Sequence, residues 1–281
     1  MNFTETIDRI KLNSIVINFN TQTSKPLPLG ISKFGGCPDL PRDFEWYYFK
    51  GESPLTDEIK ERPLSFLAQI NCEEVKKYDL DNRLPNTGIL YFFYELEAMV
   101  WGFDPQDKGC AKVYYYDGDM SELVRTDFPN DMGEEFKLPE IGISFSAKYN
   151  APYFEELFDD FESNLWDEYD KCLEESGYKT DEEYSSKLLG YSDNIQGDML
   201  LECELVTHGL YCGDSTGYES PFSKELKKSR THWKLLFQLD TVTSDDFELM
   251  FGDCGRIYYY ITEDDLKEKN FDNTWLILQC C

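Results

Sequence analysis

The sequence predicts an α+β fold made of duplicated β-rich units, in which mainly antiparallel sheet carries peripheral helices. Three observations lead there. Three short motifs recur in the same order in the two halves of the chain. Runs such as "ILYFFY" and "RIYYYI" hold the aromatic and β-branched residues that suit a pleated, packed surface. One acidic segment between the halves has helical periodicity.

The recurring motifs are "SKFGG" (Ser32–Gly36), "LSFLAQIN" (Leu64–Asn71) and "GILYFFYE" (Gly88–Glu95). Their counterparts are "SKLLG" (Ser186–Gly190), "WKLLFQLD" (Trp233–Asp240) and "GRIYYYIT" (Gly255–Thr262). The offsets are 154, 169 and 167 residues, a spread that surface loops absorb. The expected organisation is one domain of two repeats, about 28–150 and about 178–281, joined by an acidic amphipathic helix over 152–176. Within each repeat the two strands are close enough in sequence to pair directly.

The elements follow in chain order. "TETIDRIK" (Thr4–Lys11) reads as a helix and "SIVINFN" (Ser14–Asn20) as a strand. "SKFGGCPDLPRDFEW" (Ser32–Trp46) is rich in turn formers. "KVYYYD" (Lys112–Asp117) and "GISFSAKY" (Gly142–Tyr149) read as strands. From Pro152 to Ser176, Phe154, Leu157, Phe158, Phe161, Leu165, Trp166, Tyr169 and Leu173 recur at intervals of three and four, which places them on one stripe. Pro152 suits a first helical turn and Gly177 a stop. "SPFSKELKK" and "TEDDLKEK" carry helical signals, with Thr262 and Asp265 resembling a capping box. "TWLILQC" (Thr274–Cys280) completes the strand candidates.

Composition narrows the function. The chain is 41% hydrophobic and 16% aromatic, which supplies a full core and argues against global disorder. Its net charge is −28, which excludes generic phosphate-backbone binding and adsorption to anionic membranes. The same charge suits a basic protein partner. No apolar run reaches the roughly 20 residues of a membrane span. The N-terminal stretch has early acids and no apolar h-region, so no signal peptide is expected and a cytoplasmic location is. Nine cysteines without CxxC spacing, and only two histidines, His208 and His232, match reduced thiols and no zinc site.

No catalytic residue, metal or cofactor is expected. Lys33 precedes the Gly35–Gly36 pair and prolines follow it, the reverse of a phosphate loop. The stretch is expected to turn the chain. Cys37 as a nucleophile needs one of the two histidines beside it; a small buried thiol is the expected reading. Asp253, between two glycines, either caps a turn or lines a cleft at a strand end. Gln69 and Gln238 are amides inside apolar strands: each is a hydrogen-bond anchor or a polar group lining a groove between the repeats. Glu155 to Glu183 holds thirteen acids and two lysines, so one helix face is strongly negative. Glu155, Glu156, Asp159 and Asp160 are its first candidate contacts for a basic protein.

Together "SKFGGCPDLPRDFEW", "LSFLAQIN", "LPNTGILYFFYE", "KLLGYSDNIQGDM", "WKLLFQLD", "MFGDCGRIYYYI" and "FDNTWLILQC" resemble the bacterial YwqG-like proteins, from about Pro28 to the C-terminus. The resemblance implies an α+β protein with duplicated β-rich halves. It implies no activity, cofactor or catalytic residue. Genes of that family in some cases neighbour contact-dependent toxin systems, which implies an immunity-type role. Tyr47 departs from the proline that follows the tryptophan in that family.

The expected function is a non-enzymatic, acidic, cytosolic protein-binding module for a basic partner. The alternative is a small-ligand-binding protein or enzyme with its site between the repeats, near Gln69, Gln238 and Asp253. A third reading is a structural subunit with a large apolar self-interface. A ligand site predicts a pocket with converging polar groups and perturbed carboxylates; an interaction protein predicts a broad patch without one.

Overall fold

The computed structural model describes residues 3–20, 26–56, 58–157, 163–178, 185–244 and 246–281. Ten strands form its main sheet: β1 (Leu12–Asn20), β2 (Lys33–Phe34), β3 (Ser65–Asn71), β4 (Ile89–Tyr94), β5 (Ala111–Tyr116), β6 (Ile141–Asn150), β7 (Lys187–Leu188), β8 (Trp233–Leu239), β9 (Arg256–Thr262) and β10 (Trp275–Gln279). Their spatial order is β10-β9-β8-β7-β1-β6-β2-β3-β4-β5, and every neighbouring pair is antiparallel. With few helices around it, the fold is mostly antiparallel sheet of α+β kind.

The long central pair β1–β6 runs in unbroken register from Leu12 opposite Asn150 to Asn20 opposite Gly142. Outward from it the two sides use the same pairings. Lys33 lies opposite Gln69, and Lys187 opposite Gln238. The β3–β4 ladder shifts register between Phe66 and Ala68, and the β8–β9 ladder between Leu235 and Phe237. Such bulges bend a sheet and raise its twist. The sheet thereby folds over until β4 meets β8 and β9: the Phe92 and Phe237 rings lie 4.3 Å apart, and the Tyr259 hydroxyl donates to the Phe93 carbonyl at 2.9 Å. Strand β4 is buried over its whole length, which is why its sequence is apolar without alternation.

The Ser32–Trp46 stretch turns the chain. Ser32 to Asp39 and Ser186 to Asp193 keep the offset of 154 at Ser, Lys and Asp. Backbone φ is +57° and +65° at Gly35 and Gly36, and +59° and +75° at Leu189 and Gly190. At Gly35 a Cβ would stand 2.2 Å from the Pro139 carbonyl oxygen, so the turn needs glycine there.

Most helical expectations locate real elements. Phe3–Ile10 is a helix, and Gly177 ends Ser163–Glu175 in the left-handed conformation (φ +73°). Over 152–176 the described helical stretches are Phe154–Leu157 and Ser163–Glu175; Asp159 and Asp160, with Phe158 and Phe161, lie outside the described residues. Phe154 and Tyr169 bury against Phe3 and Ile7 in a small core of their own. The Thr262 hydroxyl accepts the Asp265 N–H at 3.1 Å and donates to the Asp265 carboxylate at 2.6 Å. The sequence reading missed the helix Met199–Thr207, which buries Met199, Cys203, Glu204, Leu205 and Val206 and so lacks a polar face that would reveal its period.

Candidate functional site

Buried amides lock the turns to the sheet. The Gln69 side-chain carbonyl accepts the Asp39 N–H at 2.9 Å; its amide donates to the Ile31 carbonyl at 2.7 Å and the Asp39 carboxylate at 2.8 Å. The Gln238 carbonyl accepts the Asp193 N–H at 2.9 Å; its amide donates to the Ser185 carbonyl and the Asp193 carboxylate, both at 2.7 Å. Tyr91 and Tyr258 donate their hydroxyls to the carbonyls of Asp39 and Asp193. Both glutamines are 0% exposed, every polar atom is satisfied, and neither lines a cavity described below. Asp253 is exposed in the turn between Phe251 and Gly255, where its carbonyl accepts the Cys281 N–H at 3.0 Å. The three residues are not brought together around a groove.

The two histidines meet at Glu204, which is 2% exposed. His232 Nε2 lies 2.8 Å from one carboxylate oxygen and His208 Nδ1 4.0 Å from the other. Trp233 Nε1 and the Ser229 hydroxyl also donate to this carboxylate, at 2.8 and 2.7 Å. Neither histidine activates Cys37, whose thiol is pushed up by burial and by Asp127. All nine cysteines are free.

The concave site lies elsewhere, in the second half of the chain. Its floor is the end of β10. Gln279 points its side-chain carbonyl at the N–H groups of Ile195 and Gln196, both at 2.9 Å, and so fixes the loop that follows Asp193. That loop ends in Asp198, whose side chain caps the helix Met199–Thr207 at Leu201 N–H (3.1 Å) and pairs with Arg230 at 2.8 Å. Across the floor, Trp101 accepts the Leu278 N–H at 2.8 Å, Trp275 Nε1 donates to the Gly102 carbonyl at 2.8 Å, and Phe103 accepts the Cys212 N–H at 2.8 Å. Residues 101–103 thus cover the edge strand and carry two aromatic rings over its end.

Between these walls opens a cleft of about 580 Å³, lined by Trp101, Phe103, Phe154, Leu201, Tyr218 and Leu278 with Glu155, Asp198, Glu202, Lys227 and Gln279. The size and the mixture of aromatic wall with few polar groups are those of small-molecule sites. Burial, then the charge of Asp198, pushes the Glu202 carboxyl up to about 8. Burial also raises Asp198, opposed by its helix N–H groups and Arg230. Cys212, pushed up to about 12 by burial, is a thiol and no nucleophile. At neutral pH the cleft therefore holds a protonated Glu202 whose carboxyl finds no hydrogen-bond partner among the described residues.

Of the acidic residues expected to form an exposed docking face, Glu155 lines this cleft, while Glu156 lines a second chamber on the other side of its short helix. Burial and Asp198 push Glu156 up to about 8. Sequence reasoning missed Trp101, Phe103, Asp198, Glu202 and Gln279. The one local signal was Gly197–Asp198 ahead of "MLLE", a turn and N-cap before helix formers.

Among the described residues no group of three or more His, Cys, Asp or Glu side chains is placed to hold a metal ion, and no helix is long and apolar enough to cross a membrane. Among curated proteins none matches the chain. Over residues 32–280, which include every strand but β1 and every residue lining the cleft, the chain matches a domain of unknown function, DUF1963, and it belongs to that family.

Proposed function

We propose that the protein is a binding module for a cationic group, an amine or guanidinium on an apolar body, taken into the cleft of Trp101, Phe103, Tyr218 and Glu202. The observation that carries this reading is a carboxyl half-buried in an aromatic-walled cleft with no hydrogen-bond partner among the described residues. A cation there meets ring faces and draws the proton off Glu202, trading an unpaired acid for an ion pair. The chain's charge of −28 steers cations toward it. The cation is a free amine or the lysine or arginine of a basic protein; the latter keeps the non-enzymatic, immunity-type role implied by the YwqG-like resemblance. We also read residues 28–150 and 178–281 as repeats of one unit. The shared strand order, register shifts and glutamine contacts support that reading.

Calorimetric titration tests it with agmatine and with a short lysine-rich peptide, set against their acetylated or neutral counterparts. Wild-type protein should bind a cation more tightly as pH rises through 8, since ionised Glu202 is the binding form. Glu202→Gln should weaken binding about tenfold or more and remove that pH dependence. Agmatine binding points to a small ligand, and peptide binding alone points to a protein partner. Equal affinity in Glu202→Gln, or no heat from either cation, overturns the proposal.

A further inference from the structure

We propose a second ligand site, distinct from the cation cleft, that takes a small organic anion: a phosphate or carboxylate carried on a flat apolar ring. It is a groove of about 680 Å³ whose lining includes Lys11, Arg83, Lys267 and Lys269, and it shares Leu12, Arg83 and Glu263 with a chamber of about 230 Å³. The chamber is walled by Tyr191, Trp233, Leu235 and Tyr260, with Lys234 and Glu156 as its charged-type groups.

Three features carry the assignment. The first is sign. In a chain with 55 acids against 27 cations, five cations gather around this one space. The carboxylates against them are Asp81 and Glu263 in the lining, Asp8, which pairs with Lys11 at 2.9 Å, and Asp264, 4.0 Å from Lys267. Glu263 pairs with Lys267 at 3.0 Å and lies 3.9 Å from Lys234, and the hydrogen bond from Lys267, then the charges of both lysines and Arg83, hold it low against burial. Asp8, Glu263 and Asp264 thus engage Lys11, Lys234 and Lys267, while no ion pair joins Arg83 or Lys269 to a described residue, so positive charge is left over on those two.

The second is Arg83 itself. It is half-buried on the wall common to both spaces, and its guanidinium makes no hydrogen bond or ion pair with any described residue. A guanidinium left unpaired at the mouth of an apolar chamber matches the planar fork that carboxylates and phosphates bind. Lys234 answers the same field: burial lowers its ammonium, and Arg83 and Lys267 push in the same direction, so a bound anion relieves it.

The third is the chamber. Trp233, Tyr191 and Tyr260 give a ring an aromatic enclosure. Glu156 sits among Asn194, Asp198, Arg230, Lys187 and Lys234, and burial keeps it protonated to about pH 8, so it presents no charge against an anion.

The experiment is calorimetric titration of the full chain with phenyl phosphate and with benzoate. Inorganic phosphate measures the ring's share, and benzyl alcohol, which keeps the ring without the charge, should bind more weakly than either aromatic anion. Phenyl phosphate or benzoate should bind at millimolar concentration or tighter, and more tightly than inorganic phosphate. Arg83→Ala should weaken this about tenfold or more, while Lys50→Ala, in a hairpin that lines neither space, leaves it unchanged. Arg83→Gln is the second variant if Arg83→Ala does not fold. No binding of either aromatic anion up to about 10 mM, or equal affinity in the Arg83 variants, overturns the site. Glu202→Gln should not alter anion binding, so this proposal and the cation cleft stand or fall apart from one another.

Discussion

Gln69 and Gln238 make matching contacts: each accepts the backbone N–H of an aspartate through its side-chain carbonyl and donates its amide to that same aspartate's carboxylate. The aspartates, Asp39 and Asp193, also receive cations, Arg125 at 2.6 Å and Lys187 at 2.7 Å. Each amide therefore ties an aspartate carboxylate, fully buried at Asp39 and half-buried at Asp193, and a tight turn to the sheet at once.

Gln69→Leu removes the partner of the Asp39 N–H and the Gln69 bond to the Ile31 carbonyl, while the Asp39 carboxylate keeps Gly30 N–H and Arg125. Burial without replacement bonds should cost about 2–4 kcal/mol of stability. Gln238→Leu should cost a similar amount. Urea unfolding at neutral pH measures both, and a loss under about 1 kcal/mol in each would refute the anchoring role.

Gly35 and Gly109 both have positive φ, +57° and +98°, yet only Gly35 is crowded, since a Cβ at Gly109 meets nothing within 4 Å. Gly109→Ala should therefore cost only the backbone term, about 1 kcal/mol. Gly35→Ala adds the clash with the Pro139 carbonyl and should cost at least about 1–2 kcal/mol more. Equal thermal midpoints for the two variants would show that the Gly35 turn yields without resistance.

Glu156 and Glu202 set an unusual pH profile. Each has a folded value near 8 against an ordinary 4.5, so between those values the folded chain holds protons that the unfolded chain releases. Stability from these two groups is therefore present in full below about pH 4.5 and is lost as pH rises toward 8. Glu156→Gln and Glu202→Gln should raise the melting temperature at pH 8 relative to wild type and leave it nearly unchanged at pH 4. Identical shifts at both pH values would mean that the carboxyls are solvated and ordinary.

The candidate site was legible only in fragments. The sequence marks Glu155 and Glu156 as members of an acidic helix face, and the solvent-facing role follows if the helix packs by its apolar stripe alone. In the fold, the short helix Phe154–Leu157 stands between two cavities, so neighbouring acids open into different spaces. Trp101 and Phe103 carried no signal, because what makes them cleft walls is the Leu278 N–H bonded to the Trp101 carbonyl, a contact 177 residues apart in sequence.

By itself the sequence determined the local elements and their punctuation. Aromatic and β-branched runs became β3, β4, β8 and β9. The Ser-Lys-x-x-Gly stretches became tight turns, and Gly177 stopped its helix. These outcomes depend on side-chain period and backbone freedom within a few residues. Tertiary structure alone decided that β1 and β6 form the centre of the sheet, that both histidines converge on Glu204, and that Glu202 lies in an aromatic cleft. Those facts depend on which distant segments desolvate one another. A carboxyl's chemistry follows the dielectric and charges around it, and no stretch of neighbouring residues encodes them.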